Sequence, residues 1–187
     1  IPFVKGLSYK INFNNIYILR SNYGFADYGS NLRGSGSKSE SKNYDWTSDN
    51  IITYKRTFND VHDINATLLY GIEKRSFTTT YAGAEDFINK VLGYNRLQAG
   101  NAELYYVSSG AWEENSLYQM ARLFYGYKGK YLLTGTIRRD GFSGFSKNNK
   151  IGIFPSAALA WVISEEPFID NNIAWLDNLK MSKFTII

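Results

Sequence analysis

The sequence predicts an all-β protein of antiparallel up-and-down strands that crosses a membrane as part of a β-barrel wall. Three observations lead there. Aromatic residues make up 17% of 187 residues, with fifteen Tyr, twelve Phe and four Trp against three Pro and two Met. That balance suits long strands and poorly suits a helical bundle. Apolar and polar residues alternate with period two over stretches of about 9 to 11 residues, the length of a tilted membrane-spanning strand, whereas a soluble strand needs only about 5 to 6. The connections alternate short and long, as they do when the two rims of a barrel face different compartments.

The first strand starts at Leu7, with Leu7, Tyr9, Ile11, Phe13, Tyr17, Leu19 and Tyr23 in one phase and Ser8, Lys10, Asn12 and Asn14 in the other. Residues 24–43, including GSNLRGSGSKSESKN, are a low-complexity polar run that cannot supply a core and should be a mobile loop. A second strand from about Trp46 to Phe58 sets Ile52, Tyr54 and Phe58 against Thr53, Lys55 and Thr57, and it ends in a tight Asn59-Asp60 turn. The third, from about Asp63 to Tyr81, sets Ile64, Ala66, Leu68, Tyr70 and Ile72 against Asn65, Thr67, Gly71, Glu73 and Arg75, with Leu69 as its exception.

Alternation stops from Ala82 to Asn115. Within it AEDFINKVL (84–92) places Phe87, Val91 and Leu92 near one helical face with acids early in the turn, so a short helix inside a long loop is expected. Strand four follows at about Ser116 to Tyr127, with Leu117, Ala121, Leu123 and Tyr125 opposed to Arg122 and Gly126, and Lys128-Gly129-Lys130 turns the chain.

The stretch from Tyr131 to Glu166 is a complete hairpin with two different faces. Tyr131, Leu133 and Ile137 alternate with Thr134, Thr136 and Arg138 on the first arm. On the return arm Ile151, Ile153, Leu159, Trp161 and Ile163 share one phase, and Ser156, Ala158 and Ala160 the other. Tyr131 and Trp161 sit toward the arm ends, as interface girdles do. Asp140 to Lys150, rich in Gly, Ser, Asn and Lys, is a solvated loop. Pro167 to Asn178 predicts a compact connection with a helical turn, and a last apolar strand begins at Leu179.

Composition removes several functions. There is no cysteine, so neither a disulfide framework nor a thiolate zinc site is available. No run of about 18 apolar residues exists, which excludes a membrane helix and leaves barrel strands open. The net charge of +4 comes from scattered residues without a basic block, so nucleic acid is not an expected partner. IPFVKGLSYK carries no secretion signal, so an exported chain would begin inside a longer polypeptide. With 44% apolar content, a soluble β-rich carbohydrate-binding module is the alternative, and a glycoside hydrolase a weaker third.

No catalytic, cofactor or metal site is expected. His62, the one histidine, lies between Asp60 and Asp63, where a tight turn explains it better than catalysis does. Glu113-Glu114 and Glu165-Glu166 are adjacent pairs whose members point to opposite faces of a strand, so neither pair can flank one glycosidic bond. Asn65-Ala66-Thr67 fits a glycosylation pattern but falls inside a strand.

The hairpin YLLTGTIRRDGFSGFSKNNKIGIFPSAALAWVISEEPFI, the following WLDNLK, the earlier GYNRLQAG and WEENSL, and the opening KGLSYKINF resemble the barrel of the SusC/RagA family of TonB-dependent outer-membrane transporters, over nearly the whole chain. The resemblance implies a Gram-negative outer-membrane barrel of about 22 strands plugged by an N-terminal domain. It further implies import of oligosaccharides or peptides, energy delivered through TonB, and a SusD-like lipoprotein over the extracellular mouth. Residues 1–187 would be part of that barrel, about seven strands, without plug or remaining wall. LKMSKFTII stands where the family continues into a strand like LRASYG, so truncation or a broken frame is expected; as an entire product the chain would be a nonfunctional remnant with open sheet edges.

On that resemblance the substrate-contact candidates are aromatic faces and orienting polar groups near the extracellular rim: Tyr105, Tyr106, Trp112, Phe142 and Phe145, with Arg138 and Asp140 in the hairpin's polar phase. The same aromatics also suit packing loops together, and the charges suit pairing between strands. Leu133, Ile137, Leu159 and Trp161 would face outer-membrane lipid, and Thr134, Thr136, Ser156 and Ala158 the lumen. Arg139 falls in the lipid phase, where it can snorkel toward head groups near the rim.

Overall fold

A computed structural model describes residues 4–28, 34–146, 150–170 and 179–186. Seven strands form one sheet in chain order: β1 (Leu7–Ala26), β2 (Ser35–Phe58), β3 (His62–Glu85), β4 (Tyr106–Tyr127), β5 (Tyr131–Phe142), β6 (Ile151–Val162) and β7 (Lys180–Ile186). Short 3-10 segments lie at Gly93–Ala99, Ala102–Leu104 and Ile163–Glu165, and one helical turn, α1, at Pro167–Asp170. The rest of the connection expected at 167–178 lies outside the described residues. No described helix is long and apolar enough to cross a membrane.

The polar run expected as a mobile loop is mostly strand, since β1 continues to Ala26 and β2 begins at Ser35; its residues 29–33 lie outside the described ones. β3 and β4 likewise reach Glu85 and Tyr106, well into the region where alternation stops. Period-two patterning records which face is apolar, not whether backbone N–H and C=O groups are paired. A hairpin arm with water on both faces keeps its ladder and loses its pattern.

The chain divides into two compact units, one of Ile1–Asn14, Thr47–Glu73 and Asn115–Ile187, the other of Asn15–Trp46 and Lys74–Glu114. In the first, Asn59 and Asp60 take φ of 50° and 54°, and Lys128 and Gly129 take 52° and 67°. These are the left-handed pairs that tight hairpin turns need to match strand twist. Register then fixes the faces. Across β4, β5 and β6 the rows Tyr125–Leu133–Leu159 and Ala121–Ile137–Pro155 share one face, and Phe124–Thr134–Ala158 and Arg122–Thr136–Ser156 the other. Both faces assigned to the hairpin from sequence agree with this register.

Among the described residues nothing covers the apolar face. Leu159 and Ile153 are each 59% exposed, and Leu123, Leu133, Ile137, Ile151 and Met181 are also exposed. Among the described residues the only buried apolar side chains are Ala84 and Phe87, both in the second unit. A soluble sandwich would bury one face of each sheet against the other. A single layer with an apolar outside is a barrel wall.

Aromatic and charged side chains mark the short-turn end of this unit. His62 Nδ1 lies 2.8 Å from the Tyr125 hydroxyl, and its ring packs against Tyr127, so the histidine belongs to an aromatic band. Asp63 instead accepts from Thr57 Oγ1 at 2.6 Å. Tyr131 and Trp161 donate to Glu166 Oε1 at 2.7 and 3.1 Å, and Lys130 Nζ stands 3.5 Å from Oε2. The Tyr131 hydrogen bond above all, then Trp161 and Lys130, holds the Glu166 carboxyl below the usual glutamate range. A depressed carboxyl stabilises the fold at neutral pH and loses that contribution as pH falls through its folded-state value. Wild type is therefore expected to be more stable than Glu166→Gln at about pH 7, with the difference vanishing at an acid pH below the carboxyl's folded-state value. Gel mobility of the heat-resistant folded form measures this; a gap of equal size at both pH values would exclude the carboxylate as its source.

Candidate functional site

Alternation in β5 puts Arg138, Asp140 and Phe142 on one face, the polar face of the first unit. Arg138 Nε donates to both oxygens of Asp140 at 2.9 Å, an i, i+2 pair held by strand geometry alone. Its guanidinium carbon lies 5.4 Å from the Tyr118 ring centroid, within cation–π range. Tyr118 is paired in register with Asp140, and its hydroxyl donates to Asp49 Oδ1 at 2.5 Å. The sequence singled out Arg138 and Asp140, and the structure adds Tyr118 and Asp49 to them. Both arginine Nη groups are without hydrogen bonds among the described residues, so a half-exposed guanidinium beside one carboxylate keeps donors to spare. Such a set can orient hydroxyl, amide or carboxylate groups.

Phe142 and Phe145 meet edge to face at 5.1 Å. The turn that carries Phe145 is pinned to β4 by Asn115 N donating to Ser143 Oγ at 2.8 Å and Ser143 N donating to the Asn115 carbonyl at 2.9 Å. Phe142 belongs to β5 itself, not to the loop; Phe145 lies in the loop, is 59% exposed, and part of that loop, 147–149, is outside the described residues. Elsewhere on the polar face Asn65, Thr67, Arg122 and Phe124 line a notch of about 230 Å³, in which the buried Oδ1 of Asn65 has no hydrogen bond among the described residues.

In the second unit Tyr106 and Trp112 sit on β4, six residues apart and so on one face. Trp112 stacks on Phe77 at 5.9 Å and Tyr106 on Tyr81 at 5.5 Å. Gly83 leaves its backbone bare under the Tyr106 ring, where any Cβ would collide with it. Phe77 and Tyr81 extend the odd-numbered phase of the third strand that holds Gly71, Glu73 and Arg75, and that parity was the available signal for them. These pairs present flat apolar faces of the kind that sugar rings and peptide side chains both fit. Tyr105 is different, because its hydroxyl donates to the carbonyls of Gln98 and Gly100 at 2.9 and 3.2 Å and braces the connection before β4.

The expected helix at 84–92 does not form; the helical segments of this connection come later, as 3-10 turns at Gly93–Ala99 and Ala102–Leu104. Asp86, at φ 61°, ends the strand in a conformation no helix contains. Phe87 is then buried edge to face against Phe25 and over the bare Gly36, while Val91 and Ile88 stay exposed. One deep anchor replaced the amphipathic face. Tyr28 donates to Asp86 Oδ1 at 3.0 Å, and Lys90 pairs with Asp27 at 2.5 Å, which with the Tyr28 backbone N–H holds the Asp27 carboxyl below its usual range. Among the described residues no group of three or more metal-ligating side chains occurs.

No protein-family model matches the chain. It is 35% identical over 125 residues, 67% of its length, to TonB-dependent receptor P3 of Formosa agariphila. It is 34% identical over 139 residues, 74% of its length, to TonB-dependent receptor P39 of the same organism. A shorter stretch of 61 residues, 32% of the chain, is 51% identical to TonB-dependent receptor SusC of Bacteroides thetaiotaomicron. The matched stretches are 12%, 13% and 6% of those relatives. In fold, the RagAB peptide transporter superposes with a TM-score of 0.77 at 21% identity, over 97% of this chain and 20% of that one.

Proposed function

We propose, from the premise that this chain belongs to the TonB-dependent receptors, that residues 1–187 form part of the barrel wall of an outer-membrane importer of the SusC/RagA type. The observation that carries the reading is the division of one sheet between an uncovered apolar face and a polar face holding Arg138, Asp140 and Tyr118. The tight turns at 59–61 and 128–130 lie on the periplasmic side and the long connections outside the cell of a Gram-negative bacterium. The cargo is an oligosaccharide or a peptide, recognised by the stacked aromatic pairs and by the Arg138 set. A SusD-like surface lipoprotein caps the mouth, and TonB acts through a plug domain of the whole transporter. The wall itself performs no catalysis.

Uptake by cells carrying the whole transporter tests this. Oligosaccharide and peptide mixtures serve separately as sole carbon source, with Trp112→Ala and Arg138→Gln compared with wild type. Trp112→Ala is expected to raise the half-saturating concentration roughly 2- to 10-fold, the range of one aromatic contact. Arg138→Gln should reduce uptake roughly 10-fold by removing charge-assisted hydrogen bonds. Growth on neither mixture, or uptake indifferent to both substitutions, would overturn the assignment.

A further inference from the structure

Arg138 and Arg139 are neighbours in sequence with opposite surroundings. Arg138 is neutralised on the polar face by Asp140. Arg139, in register with Gln119 and Ile153, emerges on the apolar face, where its Nη1 donates to Gln119 Oε1 at 3.1 Å. No carboxylate meets it among the described residues. Of its five N–H donors, four have no hydrogen bond among the described residues and can bind something from outside the protein.

What lies beside it is a groove of about 490 Å³ on the apolar face, walled by Ile52, Leu68, Ala121, Ile137 and Ile153. Asn50, Gln119 and Arg139 bring polar groups to the same groove, with Tyr70 next to them. The Asn50 carbonyl oxygen is taken by the Tyr9 hydroxyl at 2.6 Å, so its amide N–H groups are what it offers. An apolar bed ending in a guanidinium and amides is complementary to an acyl chain that carries an anion at its end.

Height fits as well. Arg139 is eight residues beyond Tyr131 of the aromatic band, about 27 Å along a strand and roughly 20 Å across a membrane at barrel tilt. It therefore lies near the outer edge of an apolar band about 25 Å tall, where head groups begin. A guanidinium at head-group level presents a donor geometry that matches phosphate oxygens.

We propose that this groove is a binding site for a phosphorylated lipid of the outer leaflet, with Arg139 and Gln119 seating the phosphate and the groove taking an acyl chain. The inference rests on the outer-membrane orientation given above, but not on which cargo is imported.

Native mass spectrometry of the whole transporter, purified in detergent and titrated with monophosphorylated lipid A or its dephosphorylated counterpart, tests it. Wild type is expected to retain the phosphorylated lipid in preference to the other. Arg139→Gln should weaken that retention roughly 10-fold, Arg139→Lys less, and Arg138→Gln, which removes the same charge from the opposite face, not at all. Gel mobility of the heat-resistant form establishes that each variant is folded. Equal retention of the dephosphorylated lipid, an Arg139→Gln variant that binds like wild type, or displacement by inorganic phosphate alone would each overturn the proposal. A transporter that imports its cargo yet shows no phosphate preference overturns the lipid site alone. A protein that binds the lipid and imports nothing leaves the site standing and overturns the import reading.

Discussion

Ala157→Arg is expected to destabilise the folded barrel by about 2 to 4 kcal/mol, whereas Ala158→Arg, one residue along, should cost less than about 1 kcal/mol. The two substitutions add the same side chain to the same strand and differ only in face. Ala157 is in register with Gly135 and Thr185 on the apolar side, about midway between Tyr131 and Arg139, where a guanidinium reaches neither interface. Ala158 pairs with Thr134 and Phe184 on the polar side, where an added charge stays solvated. Urea-driven unfolding of the whole transporter from lipid vesicles gives both values. Equal destabilisation by the two would show that the faces are not lipid and lumen.

Gly71→Ala is expected to cost about 1 to 3 kcal/mol, an overpacking effect. The Tyr118 ring lies directly on the bare Gly71 backbone, so an added Cβ would occupy the ring's own space. The ring must then swing away, and its hydroxyl leaves Asp49. The same movement removes the aromatic surface beneath Arg138 and should reduce uptake along with stability. Pairing a bare glycine with a cross-strand ring is a known way to stiffen a sheet. In a Tyr118→Ala background the Gly71→Ala penalty should fall to under about 0.5 kcal/mol, because the two sites then share no contact. A full penalty without the ring would place the strain in the Gly71 backbone instead.

The faces of the wall were legible in the sequence wherever one side is apolar. Leu133, Ile137, Leu159 and Trp161 repeat at spacing two because a pleated strand exposes alternate residues to each side, and no tertiary contact is needed to decide it. The tight turns at Asn59-Asp60 and Lys128-Gly129 were legible for a similar reason, since few residue types tolerate positive φ. The strand extensions at 35–45 and 106–115 were not. Their pairing is set by neighbouring backbone, and neither phase of these stretches is consistently apolar, so no period-two signal marks them.

Site residues divide along the same line. Arg138 and Asp140 could be placed together from spacing alone, because positions i and i+2 of a strand share a face. Tyr118 and Asp49 join them from β4 and β2, at sequence separations that no local pattern spans. Phe87 teaches the same lesson. A local pattern put it on a helix, but Phe25 and Gly36 from another hairpin provide its pocket, and that burial decided the conformation. By itself the sequence determined the class of the fold, the apolar phase of the strands and the short turns, because each follows from local sterics and from the pleat of a strand. Tertiary structure alone decided how far the strands run, which rings stack, and which arginine is neutralised, because those depend on partners that only the paired strands bring within reach.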